Sequence, residues 1–316
     1  GGLGAVAAAG LMRGLSLDQL CNAFGIAAAL LPVCPFVSFV EGADTKDLYG
    51  GWGVHLAMFA VDAAQRGLTG AEHVLDGIKS LSTVFQGDAG KEIAFGKPYL
   101  INWLSIKQYP ACFAVNPAVN AAFALQEKYN IDTAEIESVL VDSYPYSYDL
   151  NNGVGRNPNT TSGRLSLYYT VAVALIERSL TPDAFTAEKL KDPKYAELRG
   201  KITAKRHDAY GDGPKGIRAC IVEVHMKDGR VYQTEYNATD VHVVYSDEML
   251  YEKYCGLTRD ALAPDQQKSL YDYAMAVARQ EDLSYLLNAM RALQVGDRVT
   301  VSVSASSSEW NGVTNM

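Results

Sequence analysis

Two lysines and a small group of hydroxyl-bearing and cationic residues have the types that suit chemistry on an anion. Lys46 lies in the polar segment GADTKDLYGG, and Lys107 lies in SIKQYPAC. Arg164, Ser166 and Tyr169 follow a segment rich in Asn, Gly and Tyr. Fixed ammonium groups stabilise negative charge, and hydroxyl groups can donate hydrogen bonds to it. Each of these residues taken alone is more often a solvated surface residue, so this pattern by itself indicates only an enzyme-like protein.

His55 is a further candidate for acid–base chemistry. It follows the glycine-rich segment GGWG at 50–53 and lies on a predicted helix over 54–66. A histidine on an otherwise apolar helix is more often a structural donor in the core than a catalyst. GGWG lacks the Lys-Ser/Thr of a phosphate-binding loop and predicts a turn before that helix. The sequence contains no GxSxG, no HExxH and no GxGxxG between a strand and a helix.

The composition limits the function classes. The chain has 316 residues, 48% of them hydrophobic, which is enough for two domains. A net charge of -8 argues against a general nucleic-acid binder, and an anionic substrate would need a local cluster of cations. Five widely spaced cysteines argue against structural zinc and favour a reducing, intracellular compartment. Prolines interrupt the uncharged stretch over 19–40, which predicts a buried helix and a loop rather than a membrane span.

Apolar periodicity and turn signals predict helices, then a mixed unit, then helices again. Helices are predicted over 3–14, 16–31, 54–66 and 69–78, and capping boxes open the second and the fourth. The mixed unit should begin with an extended segment over 100–106, a helix over 116–129 and a strand over 136–143. A loop over 146–163 and helices over 165–180 and 192–200 should follow. A hairpin is predicted around Lys227-Asp228-Gly229. A helix from Ser246, helices within 264–292 and a strand from 295 should follow.

This order predicts a mixed α and α+β fold. A mostly helical domain, formed by 1–100 and 245–292, would be interrupted by a smaller α+β lid domain over 101–244. Residues 293–316 would form a C-terminal extension. The apolar helix at the N-terminus would expose a face that another polypeptide covers.

Four segments, in this order, resemble the MmgE/PrpD family. They are GGLGAVAAAGLMRGLSLDQLCNAFGIA, GADTKDLYGGWGVHLAMFAVDAAQRGLTGAEHVLDG, SIKQYPACFAVNPAVNAAFAL and SGRLSLYYTVAVAL. With weaker agreement further on, the resemblance covers about residues 1–290. It implies a helical domain plus an α+β lid with the active site between them, and neither a metal nor an organic cofactor.

The resemblance also implies roles for particular side chains. Four are predicted to be catalytic: Lys46, Lys107, Tyr169 and His55. Three are predicted to bind the substrate: Arg164, Ser166 and Asn116. Asn116 stands where the family has a histidine, and an asparagine side chain cannot take a proton. It would also suit a helix N-cap.

The function that the resemblance implies is that of a lyase, a dehydratase or decarboxylase. It would remove a proton next to a carboxylate of a small di- or tricarboxylic acid such as 2-methylcitrate or cis-aconitate. Two lysines would clamp the substrate and stabilise the developing charge. An isomerase or epimerase is one alternative. A non-catalytic subunit is another, because upstream acidic and histidine residues of the family lie before the first residue of this sequence.

The predicted partners are a small polycarboxylate and a second copy of the chain in a homodimer. A separate chain could supply the missing N-terminal part. Neither a nucleic acid nor a membrane is expected. The predicted location is the cytoplasm or the mitochondrial matrix.

Overall fold

The computed structural model describes residues 1–32, 34–35, 37–76, 78–85, 96, 99–104, 106–152, 159–211, 216–238 and 245–292. The chain divides into two compact units, Gly1–Asp240 and Val241–Met316. Helices and one four-stranded sheet confirm the predicted mixed α and α+β class. The predicted division into a helical domain over 1–100 and 245–292 and a lid domain over 101–244 stays a prediction.

Three helices pack together at the start of the first unit: α1 (Gly2–Met12), α2 (Leu17–Ala29) and α4 (Thr45–Gln65). Their shared core contains Val6, Ala23 and Ala60. The predicted capping box that opens α2 is present, with Ser16 and Gln19 as its members. Two short helices, α3 (Val37–Val40) and α5 (Leu81–Val84), also belong to this part of the chain.

Helix α4 corrects the prediction of a turn at 50–53. It begins at Thr45, so GGWG lies inside the helix. A Cβ on Gly53 would lie 3.3 Å from Gly2 N, so glycine permits the close approach of α1. The helix ends as predicted before Gly67, which has a φ of 91°.

The predicted helix over 69–78 is absent from the described residues, which form turns there. Gly70 N donates a hydrogen bond to Asn22 Oδ1 at 2.9 Å, and a Cβ on Gly70 would lie 2.6 Å from Ile26 N. The main chain at Gly70 lies so close to α2 that the side chains of a helix would not fit at this point.

The second half of the first unit contains the sheet, with strand order β2-β1-β3-β4. Its strands are β1 (Ile136–Ser143), β2 (Ile202–Arg206), β3 (Ala219–Met226) and β4 (Val231–Asn237). β1 and β2 are parallel, and the other neighbours are antiparallel. The predicted hairpin is confirmed as β3 and β4, with Gly229 at a φ of 86°.

One face of β1 differs from the prediction. A register shift between Ile136 and Ser138 breaks the alternation, so Val139 and Val141 are buried while Ser138 is exposed. A bulge of this kind turns the side chains that follow it to the other face of the sheet.

Helices accompany this sheet in the second half of the first unit. They are α6 (Asn116–Tyr129), α7 (Pro145–Asn151), α8 (Leu167–Glu177), α9 (Ala187–Lys191) and α10 (Pro193–Gly200). Of these, α6, α7 and α8 contact its strands. α6 packs on β3, β4 and α8 around a core that includes Leu125, Val171 and Val222. Two predicted elements differ from the structure. The predicted loop over 146–163 begins within helix α7. The predicted extended segment over 100–106 contains a 3-10 helix at Leu100–Trp103.

The second unit is helical where it is described. Its helices are α11 (Asp247–Thr258), α12 (Pro264–Met275) and α13 (Ser284–Ala292), and its core contains Leu262, Leu270 and Ala289. The Ser246 hydroxyl accepts a hydrogen bond from Met249 N, as expected of an N-cap. The predicted strand from 295 and the extension over 293–316 lie outside the described residues.

Across the described ranges, no helix has the length and apolar character needed to cross a membrane. In the uncharged stretch over 19–40, Ala23, Ile26 and Ala27 are buried in the core of the first unit. The predicted cellular location stays a prediction.

Candidate active site

The charges of two of the predicted catalytic residues, Lys46 and Lys107, both act on the thiol of Cys112. Lys46 lies in the first turn of α4, and Lys107 lies in the segment before α6. Burial raises the pKa of the Cys112 thiol, while a main-chain hydrogen bond at Ala114 and the charges of Lys107 and Lys46 oppose this shift. These three residues, Lys46, Lys107 and Cys112, are called the lysine–thiol site below. Two cations from distant segments thus act on one partly buried sulfur.

The loop before α4 is held against residues 159–162. Asn159 Nδ2 donates a hydrogen bond to Gly42 O at 3.1 Å, and Thr161 Oγ1 donates one to Asp44 Oδ1. Gly42 has a φ of 68°, and a Cβ there would lie 2.9 Å from the Cα and N of Ser162. Only glycine fits this approach, which fixes the position of Lys46 two residues beyond Asp44.

The segment that carries Lys107 is tied to the same region. Cys112 N donates a hydrogen bond to Arg164 O at 2.7 Å, and Val115 N donates one to Cys112 O at 3.1 Å. Residues Phe113–Val115 form a 3-10 turn that leads directly into α6. Main-chain hydrogen bonds therefore bring the sulfur beside the loop that precedes α8.

Asn116 is buried at the first turn of α6, but it does not cap the helix. Val115 occupies the N-cap position, and no side-chain cap hydrogen bond is present. The N-cap role predicted for Asn116 is therefore wrong, because the 3-10 turn moves the cap back by one residue. Asn116 is only 7% exposed, and its Oδ1 has no hydrogen-bond partner in the described part of the chain. A buried acceptor of this kind is commonly satisfied by a ligand or water.

Ser166 and Tyr169 lie in the core of the first unit, where their polar atoms have structural partners. Ser166 Oγ accepts a hydrogen bond from Tyr169 N at 3.2 Å and caps α8. The Tyr169 hydroxyl donates to Ala184 O, and its ring packs against Phe185 and Tyr195. Burial raises the pKa of Tyr169 to about 12. The phenol proton is thus held by a main-chain carbonyl, and among the described residues no hydrogen bond joins it to the lysine–thiol site.

Arg164 contributes to the region mainly through its main chain. Its carbonyl accepts the hydrogen bond from Cys112 N, while its guanidinium lies 5.8 Å from the ring centre of Phe185. The side chain is exposed. Its predicted role in substrate binding stays a prediction.

His55 is separated from the lysine–thiol site along α4. Nine residues of continuous helix place it about 13 Å along the axis from Lys46. Its ring is exposed and stacks on Trp52 with a centroid distance of 5.4 Å. The alternative that His55 is a core histidine is therefore wrong, because this face of α4 points away from α1 and α2. Its predicted catalytic role has no contact that supports it.

Tyr144 and Arg218 adjoin the lysine–thiol site and were missed by sequence reasoning. Tyr144 follows β1 and is 6% exposed. Burial raises its pKa, as does the neighbouring Cys112 thiol, while the guanidinium of Arg218 acts in the opposite direction. Arg218 precedes β3, and its guanidinium lies 5.7 Å from the ring centre of Phe113. No motif marks either residue, because the contacts join segments that are far apart in the sequence.

A second group of titratable side chains lies where the parallel strands β1 and β2 end. Asp142 Oδ2 is 2.8 Å from His207 Nδ1 and 2.9 Å from Lys205 Nζ. The His207 ring stacks on Tyr210 with a centroid distance of 4.0 Å. Asp142 is buried, so this pairing offsets the cost of removing its charge from water. We interpret the group as structural support for the edge of the sheet.

The site combines two lysines from distant segments with a partly buried thiol, in a fold that joins helices to a four-stranded sheet. The chain belongs to the MmgE/PrpD family. The model of the MmgE/PrpD N-terminal domain matches residues 1–94, and that of the MmgE/PrpD C-terminal domain matches residues 109–277. The family inferred from the four sequence segments is confirmed. Lys46 lies within the first match and Cys112 within the second, while Lys107 lies between them.

A similar curated protein is the 2-methylcitrate dehydratase, mitochondrial, of Yarrowia lipolytica. It is 29% identical over 153 residues. The matched region spans 45% of this chain and 29% of the length of that relative.

Proposed function

We propose that the lysine–thiol site binds a small di- or tricarboxylic acid and catalyses a dehydratase-type elimination. The observation that carries this proposal is that hydrogen bonds hold both the loop before Lys46 and the main chain of Cys112 against residues 159–164. The positive charges of Lys107 and Lys46 both act on the Cys112 thiol. The chain has a net charge of -8, so two cations acting on one partly buried sulfur are a local exception to the charge of the molecule. Membership of the family and the similarity to a dehydratase support the same class of reaction.

The proposed reaction removes a proton from the carbon next to a carboxylate. The proton passes to a general base, and the carbon–hydrogen electron pair forms a carbon–carbon double bond. The hydroxyl on the neighbouring carbon leaves as water after it gains a proton from the Cys112 thiol, and the base then returns its proton to the sulfur. Negative charge develops on the carboxylate next to the reacting carbon. The ammonium groups of Lys46 and Lys107 stabilise that charge because they are already in place before the reaction.

Cys112 and Asn116 suit the hydroxyl end of such a substrate. The raised pKa of Cys112 keeps the thiol protonated near neutral pH, so it acts as a hydrogen-bond donor rather than as a base. The buried Oδ1 of Asn116 is an acceptor with no partner in the described residues, and a substrate hydroxyl would supply the missing donor. In this proposal Ser166 and Tyr169 support the site by fixing α8.

The direct test is turnover of 2-methylcitrate by the full chain, followed by the ultraviolet absorbance of the conjugated product. Lys46→Ala and Lys107→Ala should each lower kcat/KM by about 100-fold, as the loss of a charge-stabilising donor does elsewhere. Lys128→Ala is a matched control, because Lys128 is an exposed lysine on α6. The site assignment is wrong if both lysine variants keep the wild-type rate and affinity.

A second candidate reaction, epimerisation at the carbon next to a carboxylate, is favoured by Asn116. An asparagine in place of the family's histidine removes a group that could protonate a leaving hydroxyl. Epimerisation needs no leaving group, and the protonated Cys112 could return a proton to the carbon. In deuterated water, an epimerase would incorporate deuterium without loss of water. A carboxylate-binding subunit without activity would show thermal stabilisation by the ligand and neither reaction.

A further inference from the structure

Arg218 is a third cation next to the lysine–thiol site, and its main chain is fixed. Arg218 O accepts a hydrogen bond from Ala238 N at 2.7 Å. The next residue, Ala219, accepts one from Tyr144 N at 3.1 Å. Because Ala219 also pairs with Asn237 at the start of β3, the sheet determines where the Arg218 side chain begins.

The guanidinium of Arg218 lies near the ring of the residue that follows Cys112. It lies 5.7 Å from the ring centre of Phe113, the residue directly after Cys112. Its charge also acts on Tyr144, which forms a buried cluster with Ala114 against which Cys112 packs. Phe113 is 40% exposed, so its ring offers an open face on which a guanidinium can stack.

We propose that Arg218 is a specificity-determining residue that binds the third carboxylate of a tricarboxylic acid held by Lys46 and Lys107. This inference rests on the proposed function. A guanidinium presents a planar fork of donors that matches a carboxylate in a bidentate manner, whereas an ammonium group acts as a point charge. With three cations from three segments, the site complements three carboxylates better than two.

The role assigned to Arg218 differs from those of the two lysines. Lys46 and Lys107 hold the carboxylates that every substrate of the site has in common. Arg218 adds affinity only when a third carboxylate is present. Removal of its charge should therefore change the ratio of the affinities for tri- and dicarboxylates, and not the affinity for both.

The test compares two ligands that cannot be dehydrated because they have no hydroxyl group. Tricarballylate and glutarate share a five-carbon backbone and differ by the central carboxylate. Their dissociation constants for the full chain are measured by titration calorimetry. Arg218→Met removes the charge but keeps an unbranched side chain, Arg218→Lys keeps the charge without the fork, and Arg230→Met is the control at an exposed arginine of the β3–β4 hairpin.

The wild-type chain should bind tricarballylate about 10- to 100-fold more tightly than glutarate, which is the range for charge-assisted hydrogen bonds to one carboxylate. Arg218→Met should remove this difference and leave the affinity for glutarate unchanged. Arg218→Lys should retain part of it, and it provides the test if Arg218→Met does not fold. Arg230→Met should behave as the wild type.

Other results separate the two proposals. If Lys46→Ala and Lys107→Ala weaken both ligands while Arg218→Met leaves their ratio unchanged, the proposed function stands and the role of Arg218 is refuted. An equal loss for both ligands in Arg218→Met would also refute it. If the folded wild-type chain binds neither ligand, the proposed function and the inference about Arg218 fail together.

Discussion

Substitution of Gly42 by alanine should displace Lys46 without unfolding the chain. Gly42 has a φ of 68°, where a non-glycine residue costs about 1 kcal/mol or more. An alanine Cβ would lie 2.9 Å from the Cα and N of Ser162, and closer still to its Cβ. Ordinary contact begins near 3.4 Å, so the loop must move by about 1 Å. The hydrogen bond from Asn159 Nδ2 to Gly42 O would lengthen at the same time.

The expected effect of Gly42→Ala on activity is larger than its effect on stability. A displacement of about 1 Å at a group that binds the substrate can lower the rate by about 100-fold. The loop can shift towards solvent, so the loss in the free energy of unfolding should stay near 1–3 kcal/mol. The measurements are kcat/KM for 2-methylcitrate, the dissociation constant of glutarate and urea unfolding.

Gly14→Ala is the matched control for this experiment. Gly14 has nearly the same φ, 65°, but a Cβ there would meet nothing within 4 Å. The control should therefore report backbone strain alone, and its site should bind glutarate normally. Ser162→Gly in the Gly42→Ala background removes the nearest side-chain atom and should restore part of the affinity. Equal effects of Gly42→Ala and Gly14→Ala on binding and on stability would refute the reasoning.

Three further predictions concern buried or paired groups. Gln126→Ala should lower the free energy of unfolding by about 2–4 kcal/mol in urea, because its buried amide donates to two main-chain carbonyls that would lose their partner. The reaction of Cys112 with iodoacetamide can be followed by mass spectrometry at increasing pH. It should begin at a higher pH than for an ordinary thiol, because burial raises the pKa of Cys112. Lys46→Met should slow the reaction further, because it removes a cation that lowers this pKa. Burial tends to raise the pKa of Glu177, but hydrogen bonds from Lys189 and Tyr195 and the lysine charges together outweigh it, so the pKa is lowered. At pH 7 the wild type should therefore be more stable than Glu177→Gln. This difference should disappear as the pH falls from about 4, the usual range for a glutamate, through the lower pKa of the folded state. Thermal melting of both proteins at each pH measures it.

Local signals in the sequence predicted several elements because their contacts are local. The capping box of Ser16 and Gln19 joins residues three apart, and the Lys227-Asp228-Gly229 turn sets the register of the hairpin beside it. Gly67 is the residue whose positive φ ends α4. Such features need no information about the rest of the fold.

Elements that depend on distant segments were predicted less well. The segment GGWG predicts a turn, but its glycines lie in helix α4, where α1 packs closely against Gly53. The sequence of β1 predicts regular alternation of buried and exposed side chains, but the register shift after Ile136 changes which residues face the core. Asn116 reads as an N-cap, but a preceding 3-10 turn shifts the cap to Val115. In each case tertiary packing overrides a local preference.

The amino-acid sequence by itself determined the family, the mixed fold class and the two lysines as candidates for binding an anion, because these rest on residue types and on the order of segments. Only the tertiary structure decided how those candidates are arranged. Lys46 and Lys107 act on the same thiol because the loop at Gly42 and the main chain of Cys112 are both hydrogen-bonded to residues within 159–164. The same packing buries Tyr169 away from solvent and brings Arg218 beside Phe113. Distances between residues far apart in the chain are set by close packing of the core, and no local pattern encodes them.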